Sequence, residues 1–306
     1  LVVTSQINHA TPAAYFSHNE SRQNYNEIAD SYFDNKVKGQ FKADFMMGGG
    51  TQYFTRSDRN LVNEFKHAGF QYIDDLSKLK ELNKEKPVLG LFAEIGLPWT
   101  LDDKSNNHLL AMAKTAVQHL ENEAGFVLLI EASQIDWAGH SNDIAAAMAE
   151  MQDLAETLTW LKNYVESRDD TLLVATADHS TGGLTIGANG DYRWQPEFLK
   201  KLTLSPQSIA AKLVQETAPL SAKQLSDSFG FIVSEQEANL FMHCKDEKSI
   251  YQQIKLLIDA KTNTGWTSAG HTGIDVQVFA TGTGAKAFNR HQTNTEIATQ
   301  LFTVLE

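Results

Sequence analysis

Cysteine is almost absent: Cys244 is the one cysteine in 306 residues. No intrachain disulfide can form, and the redox compartment stays open on that evidence. No run of 18 apolar residues occurs, the length a spanning helix needs, so no membrane partner is expected. Basic residues never gather into a block, and 26 Lys+Arg stand against 38 Asp+Glu for a formal net charge of −12. Counterion release on nucleic acid needs clustered cations, so no nucleic-acid-binding surface is expected. The sequence shows no internal repeat and no low-complexity tract, and its opening Leu1-Val2-Val3-Thr4-Ser5 reads as a strand. What is present, 42% hydrophobic and 21% charged residues, is an ordinary globular composition. A chain of this size can bury roughly 75% of its unfolded surface.

Short apolar runs alternate with longer helical patterns, the signature of βαβ units and a mainly parallel sheet. Strands are expected at Leu1–Ser5, Phe45–Met47 with a glycine turn after it, Val88–Phe92, Phe126–Glu131, Thr171–Thr176 and Val276–Ala280. Helices are expected at Asn60–Ala68, Leu109–Leu120, Asp143–Val165 and from about Thr295 to Leu305. Between about 185 and 264 the rhythm changes to short helical stretches, near Ile209–Thr217, Ala222–Phe229, Glu235–Phe241 and Ser249–Ala260. That segment reads as a helical insertion in one α/β domain spanning 1–306. Because the text opens inside a strand, an N-terminal part of the fold is expected to lie outside this chain.

In an open parallel sheet, ligands bind beyond the carboxyl ends of the strands. Three oxygen and nitrogen clusters stand at such places: Glu131 to His140, Asp178-His179-Ser180-Thr181-Gly182-Gly183, and Trp266 to Gly273 around His271. Asp136 and His140, four apart, share one face of a helical turn, a pairing that suits Zn²⁺. Asp178 and His179 are adjacent and can share a metal only where the backbone turns. Together the clusters point to a site for two metal ions.

These residues carry a resemblance. Glu131 with Ile135-Asp136-x-x-x-His140, Thr176-Ala177-Asp178-His179-x-Thr-Gly-Gly, and Trp266-Thr267-x-x-Gly-His271-Thr272 resemble the metal motifs of bacterial alkaline phosphatases. His9-Ala10-Thr11-Pro12-Ala13-Ala14 and Ser21-Arg22 are similar to that family's Thr-Pro-Ala-Ala segment and phosphate-clamping arginine. The similarity runs in order over most of the chain and is weak only in the helical insertion.

The resemblance implies a three-layer α/β/α sandwich and hydrolysis of phosphate monoesters at alkaline pH through two Zn²⁺ and one Mg²⁺. Asp136, His140 and His271 would hold the first zinc, and Asp178 and His179 would serve the second. Thr11 and Glu131 would serve the magnesium, with His9 beside it where some members have Asp, and Arg22 would bind phosphate. The partners implied are small phosphate monoesters and inorganic phosphate, with a homodimer and a periplasmic or secreted address compatible with the family. The family's nucleophilic serine and bridging aspartate are expected upstream of residue 1. Asp227-Ser228 reads as a solvated helix end, not as that serine's motif. The alternatives are a sulfatase or phosphodiesterase of the same superfamily, or a metal-binding fragment without turnover. His67, His108, His119, His243 and His291 have no donor cluster in the sequence and read as surface residues. Tyr192, Arg193 and Trp194 read as packing.

Overall fold

The computed structural model describes residues 1–103, 107–122, 124–216 and 219–305. Thr217, which closes one expected helical stretch, lies outside the described residues. The chain divides into two compact units: 1–137 with 145–154 and 203–209, and 138–144 with 155–202 and 210–306.

The first unit is built on a five-stranded parallel sheet. Its strands are β1 (Val2–Gln6), β2 (Phe45–Gly49), β3 (Gln71–Ile73), β4 (Val88–Leu91) and β5 (Ile130–Glu131), in the order β3-β4-β2-β1-β5. β1, β2 and β4 are buried throughout; β2 and β4 accordingly read as apolar runs without alternation, whereas β1 buries Thr4, Ser5 and Gln6 after its apolar start. Their successive side chains still divide between two cores. Val3, Met46 and Leu89 pack with Ile28, Ala29 and Tyr32 of helix Tyr25–Asp34 and with Leu61, Val62 and Phe65 of helix Leu61–His67. Val2, Phe45, Met47 and Val88 pack on the other side with Leu109, Met112 and Ala116 of helix His108–Leu120. Helix, sheet and helix form three layers.

Two strand expectations shift. The first two of the three glycines continue β2 instead of turning, because the sheet is crowded there: a Cβ on Gly49 would meet the Ile95 carbonyl oxygen at 1.7 Å. The long run Phe126–Glu131 keeps only Ile130 and Glu131 as strand. Val2 lies opposite Ile130, so residues 126–128 run past the start of β1 and no described strand lies beside them there.

The second unit pairs its strands antiparallel. β6 (Leu172–Thr176) lies along β11 (Val278–Gly282), β7 (Ser180–Thr181) along β10 (His271–Thr272), and β8 (Thr185–Ile186) along β9 (Thr264–Gly265). The expected strand near 276–280 therefore begins two residues later. Helices Ala222–Phe229, Glu235–Asn239 and Glu247–Thr262 begin where the sequence supplies reciprocal caps: Ser221 with Gln224, Ser234 with Glu237, and Asp246 with Ser249. Leu225, Phe229, Phe241, Ile254 and Ile258 of this segment are buried. Asp227 and Ser228 lie in helix Ala222–Phe229, where Asp227 pairs with Lys223 and the Ser228 hydroxyl donates to the Gln224 carbonyl.

Two residue readings are corrected. His108 is 1% exposed, its Nδ1 3.2 Å from an Asp103 carboxylate oxygen and its Nε2 3.3 Å from the Thr100 hydroxyl. Its Nε2 also lies 3.7 Å from Asp153 Oδ2, a partner far along the chain that the sequence alone does not reveal. Tyr192 does not pack but stands fully exposed, while Trp194 Nε1 donates to the Thr264 hydroxyl at 3.1 Å.

Candidate metal centre

The carboxyl ends of β1 and β5 carry the residues of the first unit expected to act. β1 is followed by Asn8 and His9, and helix Ala10–Phe16 presents the half-buried Thr11 in its first turn. At the end of β5, the Ser133 hydroxyl donates to the Glu131 carboxylate at 2.7 Å. The Gln134 N–H donates to the Thr4 hydroxyl at 3.1 Å, which ties the start of helix Gln134–Ser141 to β1. Asp136 stands in the first turn of that helix.

Arg22 and His9 meet at 3.4 Å between a guanidinium nitrogen and Nε2. Arginine only donates, so Nε2 accepts and the ring proton belongs on Nδ1. Burial, reinforced by the Arg22 charge and opposed by Asp136, holds the His9 pKa down at about 4. The ring is therefore neutral at pH 7, the form in which imidazole binds a metal. The Trp137 ring meets His9 edge-on, with centroids 5.5 Å apart. Nearby, the side-chain oxygens Gln6 Oε1, Asn8 Oδ1 and Gln134 Oε1 are buried and accept no hydrogen bond from the described residues. Buried acceptors of this kind call for water or a cation.

In the second unit, His140, His179 and His271 come together. The 7/10 strand pair sets His271 opposite Thr181, two residues after His179. The His179 and His271 rings stack with centroids 3.4 Å apart. His140 Nε2 lies 3.2 Å from His271 Nε2. Asp178 and His179 turn toward each other at the end of β6, with Oδ2 and Nε2 3.3 Å apart. The backbone turn that the adjacent pair requires is therefore present.

The loops around these rings are stapled. Gly182 N–H donates to the Gly270 carbonyl at 2.9 Å, and the Gly182 carbonyl accepts from the N–H groups of Thr267 and Ser268 at 3.1 Å each. Gly182 has φ +82°, and a Cβ there would meet the Trp266 ring at 2.6 Å, so only glycine fits. His140 Nδ1 donates to the Ala269 carbonyl at 2.7 Å, leaving the Nε2 lone pair on the side of His271. Asn142, at φ 51°, donates its amide to the Ser268 carbonyl at 2.8 Å. Neither Ala269 nor Asn142 was indicated by the sequence, since a backbone carbonyl leaves no signature in residue type and Asn142 resembles an ordinary helix end.

The donor set fits zinc. Two imidazole ligands on a tetrahedral ion with Zn–N near 2.0–2.1 Å stand roughly 3.3 Å apart, and the two facing nitrogens are at 3.2 Å. The outer nitrogen of a zinc-bound histidine is held by a carbonyl or carboxylate in most such sites, and the Ala269 carbonyl does this for His140. Asp178 in the second unit carries an oxygen of the kind zinc accepts, and in the first unit Thr11, Glu131 and Asp136 carry oxygens of the kind zinc and magnesium accept.

The alkaline phosphatase family model matches residues 1–306. Alkaline phosphatase 3 of Bacillus subtilis is 43% identical over 315 residues, covering 100% of this chain and 67% of its own length. The repressible alkaline phosphatase of Saccharomyces cerevisiae is 30% identical and covers 92% of this chain and 58% of its own length. Among solved structures, the cold-active alkaline phosphatase of a psychrophilic Shewanella species superposes with a TM-score of 0.91 at 42% identity, over 100% of this chain and 74% of that one. The Thermus thermophilus alkaline phosphatase gives 0.82 at 26% identity, over 99% and 70%. The chain spans about two thirds of the length of its Bacillus relative. With one family model matching from the first residue to the last and a three-layer parallel-sheet fold shared with solved members, the chain belongs to the alkaline phosphatase family of phosphatases.

Proposed function

We propose that this protein hydrolyses small phosphate monoesters at alkaline pH, releasing inorganic phosphate, with two Zn²⁺ and one Mg²⁺. The observation that carries the reading is the facing pair His140 and His271, with nitrogens at the spacing of two ligands on one zinc. On this reading Asp136, His140 and His271 hold the first zinc, Asp178 and His179 serve the second, and Thr11 and Glu131 serve the magnesium with His9 beside it. When bound, the paired cations supply electrostatic stabilisation to the entering and leaving oxygens of an in-line phosphoryl displacement.

The chain's own residues bind and orient. The planar Arg22 guanidinium matches two phosphate oxygens at once, which an ammonium cannot do. With His9 neutral, the fixed positive charge beside the phosphate belongs to Arg22. The Ala269 carbonyl holds the His140 proton at Nδ1, so the ring keeps one orientation and one tautomer. The reading includes a phosphoserine intermediate whose serine is supplied from outside residues 1–306. It also includes one α/β domain with its helical insertion at about 185–264, a homodimer, and a periplasmic or secreted location.

The test is a comparison of rates on a phosphate monoester, a phosphate diester and a sulfate ester, using protein stripped with chelator and then restored with zinc and magnesium. Preference for the monoester that returns only with metal supports the reading. Preference for the diester or the sulfate ester transfers the protein to another activity of the superfamily. Zinc binding without turnover of any of the three indicates a metal-binding fragment.

A further inference from the structure

Helix Glu247–Thr262 carries three polar side chains at one-turn spacing, Tyr251, Lys255 and Asp259, and each meets a segment adjoining a candidate ligand. The Tyr251 hydroxyl donates to Asp143 Oδ2 at 2.9 Å, and Asp143 itself is 1% exposed. The Lys255 ammonium donates to the Ser141 carbonyl, the last residue of the helix that bears His140. Asp259 Oδ1 accepts from Trp266 Nε1 at 3.2 Å, and Trp266 opens the loop that leads to His271.

Lys255 is 6% exposed. Removing an ammonium from water costs several kcal/mol, and an apolar side chain in its place is often as stable or more so. Stability therefore does not explain a lysine here, whereas its position does: a cation at the carboxyl end of a helix is matched to the helix dipole and to the carbonyls left open there. Tyr251, Lys255 and Asp259 also line one cavity of about 750 Å³ together with His140, Trp266 and Ala269. The polar stripe and the candidate ligand thus share a wall.

We propose that Tyr251, Lys255 and Asp259 form a brace that positions His140 and His271 for zinc, by fixing the 141–143 segment and the loop from 266 against one helix. These are positioning residues; none of them is among the candidate ligands. The proposal rests on His140 being a zinc ligand.

The test measures zinc affinity directly, by competition with a chromophoric chelator, on the intact protein and on the variants His140→Ala, Tyr251→Phe and Lys255→Met, with circular dichroism as the check of folding. Weakening by about 10- to 100-fold in Tyr251→Phe and Lys255→Met, with the secondary structure kept, is the result expected for groups that orient a ligand. If His140→Ala loses zinc while the folded Tyr251→Phe and Lys255→Met proteins bind it as tightly as the unaltered chain, the brace is overturned and the ligand assignment stands. If His140→Ala also binds zinc unchanged, the ligand assignment fails and takes the brace with it. Should Lys255→Met not fold, Tyr251→Phe decides alone, because it removes one hydroxyl and leaves the Lys255 charge in place.

Discussion

His140 gives its Nδ1 proton to the Ala269 carbonyl at 2.7 Å and turns its other nitrogen to His271 at 3.2 Å. One backbone oxygen thus selects both the tautomer and the direction of a ring carried by a different segment. Replacing either histidine with alanine is expected to remove one zinc per chain and to lower kcat/KM by more than about 100-fold, since even partners of ligands cost 10- to 100-fold in affinity or activity. Elemental analysis beside steady-state kinetics checks both, and full zinc content in His140→Ala would contradict the assignment.

Gly182→Ala tests the staple between the two loops. The new methyl group must adopt φ +82° and collide with the Trp266 ring and with the Gly139 carbonyl at 2.9 Å. A loss of about 1–3 kcal/mol in stability is expected from such strain, together with weaker zinc binding as Thr267 and Ser268 lose their common acceptor. Chemical denaturation and metal titration on the same sample measure the two effects.

Asp259 gives a pH dependence of known sign. Burial raises its pKa from 3.8 to about 7. Between those values the folded state keeps a proton that the unfolded chain has released, so its favourable contribution is complete below pH 4 and is lost as the pH rises through 7. Asp259→Asn, stripped of metal, should show a flatter melting temperature across that window than the unaltered protein. Parallel curves would mean that the carboxyl group titrates normally.

His9→Asp should change which metal the third site prefers. A neutral imidazole suits zinc, whereas a carboxylate supplies the hard oxygen that magnesium favours. Calorimetric titration with Mg²⁺ should give tighter binding in the variant, and unchanged magnesium affinity would place His9 away from that site.

Arg59 forms two-point contacts with both Asp34 and Glu64. Its hydrogen bonds hold both carboxyl groups below their ordinary pKa, a benefit present above about pH 4.5 and lost as the pH falls through the lowered values. Arg59→Met should cost about 1 kcal/mol at neutral pH, move acid unfolding to higher pH, and leave zinc binding unchanged. Urea unfolding at two pH values reports this.

The buried sheet was legible because parallel strands covered on both faces write themselves as apolar runs, as at Phe45-Met46-Met47 and Val88–Leu91. Helices Ala222–Phe229 and Glu235–Asn239 begin where the sequence places them, just after capping serines whose partners lie three positions on. The candidate ligand residues were picked out by their type and order along the chain. What escaped the sequence depends on partners distant along it: the burial of His108 beside Asp153, the Ala269 carbonyl, and the stripe of Tyr251, Lys255 and Asp259. Polar side chains at one-turn spacing spell a solvent face when read locally, and only the neighbouring segment reveals that they face inward. The strand at Phe126–Leu129 was over-read for the complementary reason, since apolar character alone does not supply a neighbour to pair with.

β8 and β9 pair Thr185 with Gly265 and Ile186 with Thr264, so the helical segment begins and ends at adjacent residues. Such a doorway makes the segment look like an interchangeable cassette, whose excision a short loop could bridge. Its last helix, however, carries the side chains that hold the 141–143 segment and Trp266. The side of the segment next to β9 is therefore no interchangeable part, and trimming it there should loosen both the 141–143 segment and the loop from Trp266.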